Sequence, residues 1–139
     1  MIVLDTNVLS AVISAVRFPA VLEWLNGQDP DEIRITAITV YETKLGIERL
    51  PEGKKRRDLE RSFAYALTDY LSERVLAFDT IAAQQAGIFH AARLRAGRPI
   101  DFRDAQIAGT ASVHGARLAT RNVDDFAGLG LVLLNPWSA

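Results

Sequence analysis

The chain opens Met1-Ile2-Val3-Leu4-Asp5-Thr6-Asn7, an apolar run that stops abruptly at an acid, a hydroxyl and an amide. Three apolar residues are too few to show a helical period, so the run predicts a short buried strand. In an open parallel sheet, ligands bind just beyond the carboxyl ends of the strands. Asp5 therefore stands where a functional carboxylate belongs. Strand-to-helix turns also favour Asp, Thr and Asn as caps, so this segment alone supports a capping role equally well.

The same grammar recurs along the chain. Val8 to Val16 reads as a helix, and Pro19 opens a second helix that Gly27 ends. After a polar turn, Gln28 to Glu32, comes a strand over Ile33 to Ile38. Thr39 then opens a helix to about Arg49, stopped by Leu50-Pro51-Glu52-Gly53. Lys55 to Glu73 is an amphipathic helix with Leu59, Phe63, Leu67, Tyr70 and Leu71 on one face. Val75 to Phe78 is a third strand. Asp79 caps a helix from Thr80 to Ala96, and Asp101 caps another from Phe102 to Val113, closed by Gly97 and Gly115. Arg117 to Thr120 and Leu131 to Leu134 complete five strands. Strands alternating with helices predict an α/β fold, a mostly parallel sheet with helices on both faces.

Composition narrows the partners. With 139 residues, the chain suits one domain with a real core. A net charge of −1 means that any nucleic-acid contact must come from a local basic patch or a metal site. The absence of cysteine excludes disulfides and thiolate metal sites and is compatible with a reducing compartment. No apolar run approaches the roughly 20 residues that span a bilayer. The start has no basic leader region. The expectation is a cytoplasmic protein with no membrane anchor.

Three acids stand at matching places: Asp5 after the first strand, Glu42 in the first turn of the helix after the second, and Asp104 in the first turn of the helix before the fourth. Asn122, Asp124 and Asp125 follow the fourth strand. A parallel sheet brings these ends to one edge, making an acidic pocket with no lysine or arginine built into the same turns. Two unit charges about 4 Å apart repel by about 4 kcal/mol at an effective dielectric of about 20. Shared protons or a cation must offset that. Mg2+ and Mn2+ suit all-oxygen ligands, and such an ion can activate water and neutralise a scissile phosphate. Two histidines, His90 and His114, on separate helices do not make a histidine-rich zinc site. Each acid also has a structural reading. Thr39 and Glu42 fit a capping box, and acids in a first turn complement the helix dipole.

The ordered set of motifs resembles the PIN-domain ribonucleases, and within them the VapC/FitB-like toxins of type II toxin–antitoxin pairs. The resemblance rests on Leu4-Asp5-Thr6-Asn7, Thr39-Val40-Tyr41-Glu42 with Leu45-Gly46, and Asp104-Ala105-Gln106-Ile107-Ala108. It continues through Leu118-Ala119-Thr120-Arg121-Asn122 and Asp125-Phe126 to Asn135-Pro136-Trp137, so it covers essentially the whole chain. It implies a three-layer α/β/α fold and an Mg2+- or Mn2+-dependent endoribonuclease that hydrolyses RNA phosphodiesters. Asp5, Glu42 and Asp104 would be the catalytic, metal-binding acids. Thr6 and Asn7 would support Asp5, and Thr120 would lie beside the pocket. Many relatives carry a fourth acid where this chain has Asn122, which puts a second metal in question; Asp124 or Asp125 could compensate from the same loop. The resemblance also implies a small inhibitory antitoxin, operator DNA bound through that antitoxin, and a homodimer.

Two basic regions remain. Lys54-Lys55-Arg56-Arg57 reads as a solvated helix start or an RNA-steering patch. Arg93, Arg98 and Arg103, leading into Asp104, are the better candidates for holding a substrate backbone. Phe63, Tyr65, Tyr70, Trp24 and Trp137 read as core or interface. A non-enzymatic co-repressor working with a DNA-binding antitoxin is the alternative function. A phosphatase with Asp5 as nucleophile fits less well, because no second acid stands two residues on.

Overall fold

The computed structural model describes residues 1–139. Five strands form one all-parallel sheet: β1 (Ile2–Leu4), β2 (Ile33–Thr36), β3 (Val75–Leu76), β4 (Arg117–Ala119) and β5 (Leu133–Leu134), in the order β3-β2-β1-β4-β5. Six α-helices connect them: α1 (Thr6–Ile13), α2 (Pro19–Asn26), α3 (Ala37–Glu48), α4 (Lys54–Tyr65), α5 (Thr80–Arg95) and α6 (Phe102–Val113).

The apolar start is the centre of the sheet. Ile2, Val3 and Leu4 are buried. The side chains of Ile2 and Leu4 pack into one core with α1, α2 and α4, while Val3 points into a second with α5 and α6. This alternation is the period-2 geometry of a strand covered on both faces. The chain builds outward from β1 through β2 to β3 and then returns to the other side of β1 for β4. The order thus reverses between β1 and β4, where an open α/β sheet leaves a crevice at its carboxyl end.

The two cores are built differently. The first is filled by large aliphatic and aromatic side chains, among them Leu9, Ile33, Ile35 and Phe63. The second depends on close approach of α5 and α6. A Cβ at Gly109 would stand 2.6 Å from the Ala86 backbone nitrogen and 2.9 Å from the Ala82 carbonyl oxygen. Only glycine permits that approach, and it seats α6, with Asp104 near its start, firmly against α5.

Several boundaries move from the sequence expectation. The first helix runs over Thr6–Ile13 rather than Val8 to Val16. The strands are also shorter than expected, and the second ends at Thr36. The Thr36 hydroxyl accepts from the Thr39 N–H at 3.2 Å, so Thr36 caps α3 and Thr39 lies inside it. The expected helix over Lys55 to Glu73 breaks at Tyr65 into a π-helical turn, Ala66–Tyr70, closed by a 2.7 Å bond from Leu71 N–H to the Ala66 carbonyl. The wider turn shifts the register so that Leu71 reaches the core, where it is buried. Half of the basic run that opens α4 is paired: Lys54 with Asp58, and Arg56 with Glu48 and Glu60. Phe63 is buried, Trp24, Tyr70 and Trp137 pack partly against the first core, and Tyr65 is exposed.

Candidate metal centre

Asp5 leaves β1 directly into α1. Its backbone N–H donates to the Ala119 carbonyl of β4 at 3.0 Å, tying it to the crevice. Its side chain caps α1, with Oδ1 accepting from the Val8 N–H at 2.9 Å. Capping and burial coexist here, because the residue is only 4% exposed. Burial raises the Asp5 pKa above the ordinary carboxylate value. Hydrogen bonds from the Thr120 hydroxyl and from the Val8 and Asn7 N–H groups pull it the other way, and the charge of Glu42 adds to the rise. Thr120 is fully buried. Its hydroxyl donates to Asp5 and accepts from the Asn122 N–H at 3.0 Å, joining the β4 end to the β1 end.

Glu42 arrives from α3. Because that helix begins at Ala37, Glu42 lies in the second turn and makes no capping box with Thr39. Instead Glu42 Oε1 accepts from the Thr6 hydroxyl at 2.8 Å, and the Thr6 and Thr39 hydroxyls lie 3.1 Å apart. Thr6 therefore supports Glu42 across the α1–α3 interface, and Thr39 joins the same chain of hydroxyls. The signal for this was present in Thr36-x-x-Thr39: two threonines compete for one cap, and the one that loses is left free to bond elsewhere.

Asp104 arrives from the first turn of α6, which Asp101 caps through the Arg103 N–H at 2.8 Å. Its pKa is pushed up to about 7, first by desolvation and then by the charges of Asp101, Glu42, Asp5 and Asp125. Asp5 from the β1–α1 turn, Glu42 from α3 and Asp104 from α6 thus share one electrostatic field at the carboxyl end of β1. No three acid or imidazole side chains stand close enough together to form a ready-made metal cluster. The donor set nevertheless fits a hard divalent cation: the three carboxylates offer only oxygens, and a cation would offset both the burial and the repulsion that raise the Asp104 pKa.

The remaining candidates divide. Arg103 stands inside the acidic site, with Nε 3.2 Å from Asp101 Oδ1 and 3.8 Å from Glu42 Oε2. This corrects the expectation of a pocket without a basic residue in its turns. Arg98 is exposed nearby in sequence, on the loop between α5 and α6. Arg93 is not available to a substrate. It is 7% exposed, and its guanidinium donates to the carbonyls of Arg98 and Asp125, both at 2.7 Å, pinning that loop to the turn after β4. Asn7 and Asn122 are exposed at the rim. Asp124 and Asp125 are exposed in a 3-10 turn, Val123–Phe126, that follows Asn122.

Comparison with known proteins identifies the family. Residues 2–130 match the PIN domain family. The chain is 37% identical over 137 residues to the VapC ribonuclease Y4jK of Sinorhizobium fredii, covering 99% of this chain and 98% of that protein. It is 34% identical over 138 residues to the toxin FitB of Neisseria gonorrhoeae, covering 99% of each. Among solved structures it is similar to FitAB bound to an IR36 DNA fragment, with a TM-score of 0.90 and 31% identity over 99% of this chain and 96% of that one. The chain belongs to the PIN domain family, alongside its VapC and FitB members.

Proposed function

We propose that this protein is a divalent-cation-dependent endoribonuclease and the toxin of a toxin–antitoxin pair. The observation that carries the reading is that Asp5 at the end of β1, Glu42 bonded to Thr6 just beyond it and Asp104 at the start of α6 gather at one edge of the sheet, where the charges of Glu42 and Asp5 add to the burial that raises the Asp104 pKa. A relative named as a ribonuclease and another named as a toxin, each matched over nearly its full length, support it.

In this reading Asp5, Glu42 and Asp104 hold Mg2+ or Mn2+, which would supply charge neutralisation at the scissile phosphate and a more acidic water. The chain's own residues set the geometry. Thr120 and the Val8 N–H fix Asp5, Thr6 fixes Glu42, and the Gly109 contact fixes the helix that carries Asp104. Asp104, whose pKa burial and neighbouring charge raise to about 7, would give up its proton when a cation binds. Arg103 lies where a substrate phosphate would draw it away from Glu42. Asn122 brings no charge where a fourth acid could stand, so three carboxylates would hold the cation.

An antitoxin would restrain the enzyme and carry the pair to its operator DNA; the FitAB complex on DNA supports that arrangement. We place the protein in the cytoplasm as a homodimer. No helix is long and apolar enough to cross a membrane.

The test is incubation of the purified, antitoxin-free protein with total cellular RNA in Mg2+ or Mn2+, then in excess EDTA, beside Asp5→Asn. Discrete cleavage that EDTA and the substitution both abolish is expected. A folded protein that leaves RNA intact with either metal would overturn the reading and favour the co-repressor function.

A further inference from the structure

Beside the acids, on the β4 side of the crevice, lies a second concavity of different character. It has a volume of about 470 Å3 and is lined by Asn7, Ser10, Phe18, Arg121, Asn122 and Trp137, with small residues of α1 between them. That size falls within the roughly 300–1,000 Å3 of small-ligand pockets. No acid lines it. Asn7 and Ser10 project from one side of α1, three residues apart. Arg121 and Asn122 come from the turn after β4, and Trp137 comes from the C-terminal segment.

Arg121 is exposed and makes no ion pair; its guanidinium lies over the Trp137 ring, 5.2 Å from the centroid. Trp137 in turn packs edge-on against Phe18, their centroids 6.4 Å apart. A cation is thus held by an aromatic platform rather than by a carboxylate, which leaves its charge uncompensated. It is also coupled to the acids. Asn122 bonds through its backbone N–H to Thr120, which holds Asp5, and Asn7 lies two residues beyond Asp5.

We infer that this cavity seats the nucleotide next to the scissile phosphate, with Arg121 on the flanking phosphate and the Asn7 and Asn122 amides on the base. The inference rests on the nuclease reading. An RNA strand crossing the acidic site brings negative charge toward three carboxylates, and an unpaired cation in the neighbouring cavity compensates it. Side-chain amides both donate and accept, as reading a base edge requires, and RNA is read by sequence where unpaired bases are splayed into such sites. A protein partner would be served equally well by an apolar pocket. The polar lining and the link to Asp5 favour a nucleotide.

Arg121 and Ser10 are both exposed, so substitutions there leave the core intact. The experiment compares wild type, Arg121→Gln and Ser10→Gln, each first shown to melt like wild type. Binding of a fluorescein-labelled random RNA hexamer is followed in EDTA across a salt series, and cut sites on total RNA are mapped in Mn2+. For Arg121→Gln, binding weakens several-fold and the slope of log affinity against log salt shrinks by about 0.7, one single-strand phosphate. For Ser10→Gln, KM rises and the base preference at the nucleotide beside the cut changes. Unchanged slope, KM and cut sites in both variants would overturn the subsite while leaving the nuclease standing. A wild type that neither binds nor cuts RNA would overturn both. Loosened binding of a co-expressed antitoxin by Arg121→Gln, with RNA handling unchanged, would assign the cavity to that partner instead.

Discussion

Asp5 and Asp79 begin their helices in nearly the same way. Both have extended backbones, with φ/ψ of −73/174 and −90/−174, and both accept from the N–H three residues on, at 2.9 and 3.0 Å. Asp79 is exposed, and its role ends with the cap. Asp5 is buried at the point where the sheet order reverses, tied to Thr120 and facing Glu42 and Asp104. Local chemistry makes each a cap, and only the position in the sheet makes one of them part of a site. The two roles are compatible, because a carboxylate has lone pairs to spare after one backbone bond.

The sharpest way to break this comparison is to replace both acids with asparagine, which caps as well as aspartate but carries no charge. Asp5→Asn is expected to lower cation-dependent RNA cleavage by at least about 100-fold, equivalent to about 2.7 kcal/mol of barrier, while Asp79→Asn cleaves normally. Equal rates for the two variants in a cleavage time course would erase the distinction.

A second test leaves both caps untouched and moves a neighbour. Gly109→Ala gains about 1 kcal/mol of helix propensity. It also drives a Cβ to 2.6 Å from the Ala86 backbone nitrogen, which cannot rotate aside. Overpacking of about 1–3 kcal/mol wins. The melting temperature falls, and activity falls with it because Asp104 rides on the displaced helix.

The third test uses protons. The Asp104 pKa is raised from 3.8 to about 7. The folded chain therefore holds that proton more tightly than the unfolded chain does. Cation-free stability should decline as pH rises between those values. A cation must displace the same proton, so apparent Mn2+ affinity should climb by up to about tenfold per pH unit below about pH 7 and level off above it. Calorimetric titrations at pH 6, 7 and 8 measure this directly; a flat profile would separate Asp104 from the cation.

The smallest effect concerns the caps alone. Asp79→Ala should cost about 1 kcal/mol in denaturant unfolding. Asp5→Ala should cost less, since the lost cap is offset by removal of a buried charge.

Much of this was legible in the residues. Ile2 to Leu4 could hardly be other than a buried strand, and Asp79 and Asp101 announce their helices by the acids that cap them. The candidate acids themselves stood out by recurring at strand ends. The fate of Glu42 did not, because Thr39-x-x-Glu42 has the spacing of a capping box, whereas its actual partner, Thr6, lies 36 residues away on another helix. Arg93 misled for a related reason: a guanidinium that ties two loops together by their carbonyls looks, in sequence, like one awaiting a phosphate. Arg121 over Trp137 joins residues 16 apart, and no local period reveals such a pair.

The central claim is that Asp5, Glu42 and Asp104 form one cation site. Crystals soaked in Mn2+ and measured at a wavelength that records its anomalous scattering test it most directly. A single anomalous peak among the three carboxylates, absent from Asp5→Asn crystals, is the predicted result. A peak elsewhere, or none at a Mn2+ concentration that supports cleavage, would contradict it.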